Sequence, residues 1–374
     1  MSLFDEYKEF RTIWTPEEDE LRRRADDGYE QRHAYVEYYM NELPEYYSTG
    51  LRMIKERMDE FNKPECLYEG GYSIENRKLV EDIVYSLHRF GASYIEYFQF
   101  DFMRKSAEER NTFATSRRRA MAYKVINSPE GTAICENKEE SYARFNRYYG
   151  RDVRRFDTCN QSSLKGFSNM LAEYGKLIVK PLNEMQGKGV ALVTVDQVDA
   201  CGLMGVLSEG EFLAEPCLEN VDELRLIHPA SLNTLRVETA LFPDRVEFLT
   251  PFLRMGCGDS VVDNGGAGGI FANVDINTGV IVTKGHDEYG HRYTLHPDTG
   301  VIIPGITIPQ WENALSLAAH LAESFPECKM AAWDLALTND GWKLIEVNHN
   351  GHPLMQIADG VGVWPKMIEV MKAW

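Results

Sequence analysis

The stretch AAWDLALTNDGWKLIEVNHNG, residues 331–351, constrains this chain more than any other. Two runs rich in β-branched, aromatic and aliphatic residues, Trp333 to Leu337 and Lys343 to Val347, flank Thr338-Asn339-Asp340-Gly341, whose composition is that of a hairpin turn. A β-hairpin is predicted. Its two acids are out of place, because Asp334 and Glu346 lie inside otherwise apolar strands, where an uncompensated carboxylate is costly to desolvate. If the hairpin closes around Asn339-Asp340, the two carboxylates are neighbours across the ladder and repel unless a cation lies between them. Asn348 offers a neutral oxygen two residues beyond Glu346, on the same strand face. Three hard oxygen donors suit Mg²⁺ together with the phosphates of a nucleotide. The competing reading, weighted equally, is a structural salt bridge from each acid to a Lys or Arg.

At 374 residues the chain has room for two or three units with ample core. Its start, MSLFDEYKEF, is charged throughout, and no apolar run approaches the roughly 20 residues of a membrane span. Seven cysteines without a C-x-x-C pair indicate neither a disulfide framework nor a thiolate zinc site, so a reducing cytoplasm is expected. A net charge of -18 argues against a nucleic-acid or anionic-membrane partner, and affinity for anions must come from local sites.

Residues 1 to about 130 carry helical signals, including Thr15-Pro16-Glu17-Glu18 as a helix start and apolar positions 79, 80, 83, 84 and 87 at helical period. The run from Tyr94 to Phe102 is aromatic-rich and ambiguous between helix and strand, and Arg117-Arg118-Arg119 reads as a solvated helix face. From about residue 133 helices and strands alternate, the signature of an α/β or α+β unit. Helices are expected at 139–149, 162–174 and 197–207, and strands at 177–180, 190–195 and 211–215. Pro181 to Gly189 forms a loop in which Gly187 and Gly189 let backbone N–H groups wrap an anion, with Lys188 as a charge. Neither a Walker loop nor a Rossmann fingerprint is present. Lys180, at the root of that loop, is either a phosphate clamp or a snorkelling strand end.

The order of these parts resembles the ATP-grasp superfamily: a helix beginning near Lys138, a strand ending in Lys180, a Gly-rich hairpin, a strand ending in Glu215-Pro216-Cys217-Leu218, then Asp334 and Glu346-x-Asn348. Ser231 to Arg236, Val262 to Gly269 and His296 to Gly300 look more closely like the sugar-transfer-associated branch of that superfamily. The resemblance implies an ATP-grasp fold with a mainly helical N-terminal region over residues 1–130, a lid subdomain over 131–216 and a catalytic subdomain over 217–374. It implies Lys138 and Lys180 as phosphate lysines, Gln186, Gly187, Lys188 and Gly189 as the lid loop, Glu215, Cys217 and Leu218 as the adenine hinge, and Asp222 or Glu223 as the ribose acid. ATP and Mg²⁺ are the implied cofactors, the metal held by Asp334, Glu346 and Asn348.

Such folds activate a carboxylate as an acyl phosphate, which an amine then displaces. A small-molecule or saccharide carboxylate and an amine are therefore the expected partners, a kinase acting on a hydroxyl and a non-catalytic accessory protein are the alternatives, and a homodimer is an allowed assembly. Arg236, on a predicted strand from Thr234 to Ala240, and Arg254, ending a strand from Val246, are placed within reach of the metal hairpin. Their forked donors suit an acyl phosphate and an oxyanion; the alternative pairs each with a local acid such as Glu238 or Asp259. His286, His291 and His296 recur every five residues, a spacing that fits neither a helix nor a strand face, and are expected in loops without zinc. The glycine cluster 265–269 is read as a backbone cradle over a carboxylate.

Overall fold

The computed structural model describes residues 2–11, 20, 24–25, 29–42, 44–63, 71–182, 189–258, 263, 268–351 and 354–374. The expected helix start at Thr15 to Glu18, the loop residues Gln186, Gly187 and Lys188, Asp259, Gly265, Gly266, Ala267 and His352 lie outside the described residues.

The N-terminal region is helical, as its periodicity predicts. The apolar stripe centred on Ile83 and Val84 folds as the helix Arg77–Phe90, begun by the Asn76 side chain accepting from the Leu79 N–H and ended by Gly91 at φ 71°. The ambiguous run resolves as a short helix, Tyr94–Gln99. Arg118, expected on a solvated face, is buried and donates to the Asn111 and Phe113 carbonyls.

Two antiparallel sheets follow. The smaller joins β1 (Arg154–Asp157), β4 (Glu211–Pro216), β2 (Lys176–Pro181) and β3 (Ala191–Thr194), in that spatial order. Leu177, Val179 and Val193 on one face pack against the helix Gln161–Tyr174. The larger sheet runs β10 (Arg292–Tyr293), β9 (Gly285–His286), β8 (Ile270–Asn273), β7 (Phe252–Met255), β5 (Thr234–Leu241), β11 (Met330–Thr338) and β12 (Gly341–Asn348), with β6 (Val246–Phe248) beside β5. The expected single strand from Val246 to Arg254 is thus two, because Pro251 lacks the N–H a continuous ladder requires. The expected helix from 197 to 207 likewise breaks at Gly202, which takes φ 73°.

The two faces of the larger sheet do different work. Leu235, Val237, Trp333, Leu335 and Leu337 point into a core covered by the helix Trp311–Glu323, and this core also takes Leu213 from the smaller sheet. On the other face Ala240, Phe252 and Met330 join the N-terminal helices in a second core. That face also carries Arg236, Glu238, Arg254 and Asp334, by strand alternation. No helix among the described residues is long and apolar enough to cross a membrane.

Candidate active site

The hairpin turns through Asn339 and Asp340, with Thr338 paired to Gly341, whose φ of 91° only glycine adopts readily. A regular ladder from that turn sets Asp334 opposite Ile345. A β-bulge after Asp334 inserts one residue on β12 and brings Glu346 opposite Asp334. The shift of phase also lets Leu344 and Val347, three apart, both reach the core. Asn348 follows on the strand, paired with Ala332.

Asp334, only 2% exposed, lies directly opposite Arg236 of β5. Arg236 donates from Nε and, at 2.6 Å, from Nη2 to its two oxygens, and Arg254 donates from Nη1 at 2.8 Å. Arg254 Nη2 also reaches Asp263 at 3.1 Å, and Asp263 accepts from the Thr234 N–H and hydroxyl. Burial alone would raise the Asp334 carboxyl, but the two guanidiniums outweigh it and hold it below the usual carboxylate range. Glu346 behaves oppositely. Desolvation first, then the Asp334 charge, push it upward. It is nonetheless exposed to solvent, whereas Asp334 is buried. Its carboxylate has no hydrogen bond or ion pair among the described residues, and the Asn348 amide nitrogen is buried without a partner there. An amide whose two ends are exchangeable, beside an unpaired carboxylate facing a second one, fits a hard cation. The two readings of the acids thus divide: Asp334 has its arginines and Glu346 has none.

The Asn137 side chain caps the helix Lys138–Tyr149 by accepting from the Glu139 and Glu140 N–H groups, which sets Lys138 at its first position. Lys138 Nζ donates to the Pro181 carbonyl at 3.2 Å, and so meets the end of the strand that carries Lys180. Lys180 Nζ lies 2.6 Å from Glu215 Oε1, and its charge is also felt by Glu346. Glu215 is buried, and burial would raise it; Lys180 and Arg151 lower it on balance. Its carboxylate is committed to these ion pairs. Cys217 is half-buried, its thiol 3.7 Å from the Leu218 carbonyl. Gly189 takes φ 70°, and a Cβ there would lie 2.9 Å from the Pro181 ring. Asp222 is not brought to the cluster: its exposed carboxylate pairs with Arg225 at 2.6 Å.

Residues 200–372 match the family model described as sugar-transfer associated ATP-grasp. That stretch belongs to the ATP-grasp family. Solved structures similar to the chain include D-alanyl-alanine synthetase A from Vibrio cholerae, 15% identical over 65% of this chain and 62% of that one with a TM-score of 0.40. They also include the ATP-grasp ligase PsnB with a minimal-precursor variant, Mg and ADP (13%, 71% and 68%, 0.40). A third is N5-carboxyaminoimidazole synthase from Aspergillus clavatus with ADP and its ribonucleotide (12%, 66% and 56%, 0.42). The chain spans less than two thirds of the synthetase's length. No curated protein matches it.

Two residues of this cluster escaped the sequence reading. Arg151 grips Glu215 from Nε at 3.1 Å and from Nη2 at 2.9 Å, and donates from Nη1 to the Leu344 carbonyl at 2.8 Å, thereby tying the smaller sheet to β12. Asp263 bridges Thr234 and Arg254 from inside the quoted VDNGGAGG stretch, where the glycines drew attention away from the acid. Neither residue has a local signature, since each is defined by partners far along the chain.

Proposed function

We propose that this protein is an ATP- and Mg²⁺-dependent carboxylate–amine ligase of the cytoplasm, with residues 131–216 as lid and 217–374 as catalytic subdomain. The observation that carries it is the unpaired Glu346 carboxylate facing Asp334, with two arginines converging behind. Asp334, Glu346 and Asn348 would hold the metal, which when bound neutralises charge between the β- and γ-phosphates. Lys138 and Lys180 line the opposite wall, where ammonium groups attract the triphosphate, and the backbone from Glu215 to Leu218 forms the hinge for the adenine.

The chemistry has two steps. A substrate carboxylate oxygen attacks the γ-phosphorus, the bond to the β-phosphate oxygen breaks, and ADP leaves. An amine then attacks the acyl carbon, loses a proton, and expels phosphate that keeps one oxygen of the original carboxylate. Arg254 and Arg236 present planar donors on the face where both charged centres develop, and Asp334 holds them in orientation. They orient and stabilise charge; neither needs to move a proton.

With ¹⁸O in the substrate carboxylate, released phosphate should carry one labelled oxygen, and Arg254→Lys should slow that transfer more than it weakens ATP binding. A kinase would instead retain the label in a stable phosphorylated product. A non-catalytic accessory protein would release no phosphate with any carboxylate and amine pair while still binding nucleotide.

A further inference from the structure

His286, His291 and His296 were expected in loops; the structure corrects this for His286 and keeps His296 in a loop. His286 is buried in β9, and burial takes its pKa down to about 4. His291 rests on Asp287 at 2.5 Å. His296 is buried too, beside residues from a segment some 40 positions earlier.

There Cys257, His296 and Asp298 bring a thiol, a ring nitrogen and a carboxylate oxygen within 4.8 Å of one another. His296 Nε2 lies 2.9 Å from the Gly256 carbonyl. A carbonyl only accepts, so Nε2 carries the proton and Nδ1 presents a bare lone pair, met by a long 3.4 Å approach of the Asp298 N–H. Metal-bound histidines are oriented in this way, with the second nitrogen donating to a backbone carbonyl. The buried ring of His228 lies beside this cluster, 5.3 Å from His296 between centroids, with Nε2 3.6 Å from Asp298 Oδ2. That Nε2 donates to the Gly258 carbonyl at 3.0 Å. The Ser231 hydroxyl lies 2.9 Å from Nδ1. Gly256 gives the backbone room to pass, because a Cβ there would fall 2.3 Å from Ser231 Oγ and 2.7 Å from His228 Nδ1.

We propose that Cys257, His296 and Asp298, with His228 as an outer neighbour, form a structural site for a thiophilic divalent ion of the zinc class, separate from the ATP cleft. Sulfur, imidazole nitrogen and one carboxylate suit such an ion, whereas Mg²⁺ and Ca²⁺ take oxygen sets. The ion pins the residues that follow β7 to the 296–298 loop and so fixes the strand end that presents Arg254. Desolvation, then Asp298 and Asp287, push the Cys257 thiol up to about 11.

The full chain, stripped with chelator, is titrated with Co²⁺ and followed by absorption. A near-ultraviolet thiolate-to-Co²⁺ band with strong visible bands, saturating at one equivalent and bleached by Zn²⁺, is expected. Cys257→Ser should abolish the thiolate band, and His228→Ala should weaken binding by at least about tenfold, the lower bound seen for losing an outer-shell partner. In the unaltered protein, Zn²⁺ should shield Cys257 from alkylation while the exposed Cys159 and Cys201 stay reactive. No thiolate band with folded protein, a band that persists in Cys257→Ser, or alkylation of Cys257 unaffected by Zn²⁺ would overturn the proposal. The oxygen ligands of the ATP cleft produce no thiolate band, so this outcome is independent of the ligase reading.

Discussion

Asp334 and Glu346 face each other across one rung of the β11–β12 ladder, yet their carboxyls shift in opposite directions, Asp334 downward and Glu346 upward. The difference is one of partners. Arg236 and Arg254 converge on Asp334, and neither is bonded to Glu346.

Neutralising the two acids should therefore have unequal effects on stability. The ladder alone suggests that either change relieves repulsion, but Asp334→Asn leaves two guanidiniums short of their counter-charge. Breaking a buried ion pair from one side costs on the order of 3 kcal/mol. Asp334→Asn should lower the melting temperature, whereas Glu346→Gln should match or exceed the parent, and both should lose Mg²⁺-dependent ATP consumption. A Glu346→Gln protein with near-parental turnover would remove the metal assignment.

The same pair yields a pH dependence with a definite sign. Glu346 lies above its ordinary 4.5, so the folded chain holds this proton more tightly than the unfolded chain, and ionising it costs stability as pH rises past 4.5. The excess melting temperature of Glu346→Gln over the parent should be largest at neutral pH and vanish below pH 4.5. Asp334 lies below its ordinary 3.8, so its contribution is complete above that pH and is lost as the pH falls further. Parallel melts of both proteins across pH 3 to 8, bracketing these ordinary values, provide the check; a difference that grows on acidification contradicts the assignment.

Lys180 sits 2.6 Å from Glu215, which Arg151 also grips. Glu215 thus keeps one cation when Lys180 is removed. Lys180→Met should consequently fold, and it should weaken binding of an ATP analogue by more than about threefold, 0.7 kcal/mol. An unchanged Kd would make Lys180 a structural partner of Glu215 alone.

Gly351 follows the hairpin where the chain passes over the buried Glu238. A Cβ there would lie 2.3 Å from Glu238 Oε1 and 2.6 Å from Oε2, and Tyr123 already holds the same carboxylate. Gly351→Ala should cost about 1–3 kcal/mol by overpacking, and by displacing the segment after Asn348 it should raise the KM for ATP. Thermal melting and initial rates at varied ATP measure the two effects; an alanine variant that melts with the parent would show that the segment shifts freely.

Much of this protein is legible in local sequence, for physical reasons. The Asn339-Asp340-Gly341 turn, the alternation of β5, the apolar run of β11 and the helical period of residues 79–87 each act over a few residues, so chemistry and spacing define the hairpin, the strands and the helix without reference to the rest of the chain. The unusual acids are visible in the same way, since a carboxylate in an apolar strand is conspicuous wherever the strand packs. What those acids touch is decided only in three dimensions. A bulge after Asp334, absent from any local signal, turns Glu346 to face it; Arg236 is 98 residues from Asp334 in sequence and Arg151 is 193 from Leu344. Ion pairs and mixed ligand sets such as Cys257, His296 and Asp298 depend on distance in space, whereas propensity and periodicity report only on neighbours along the chain.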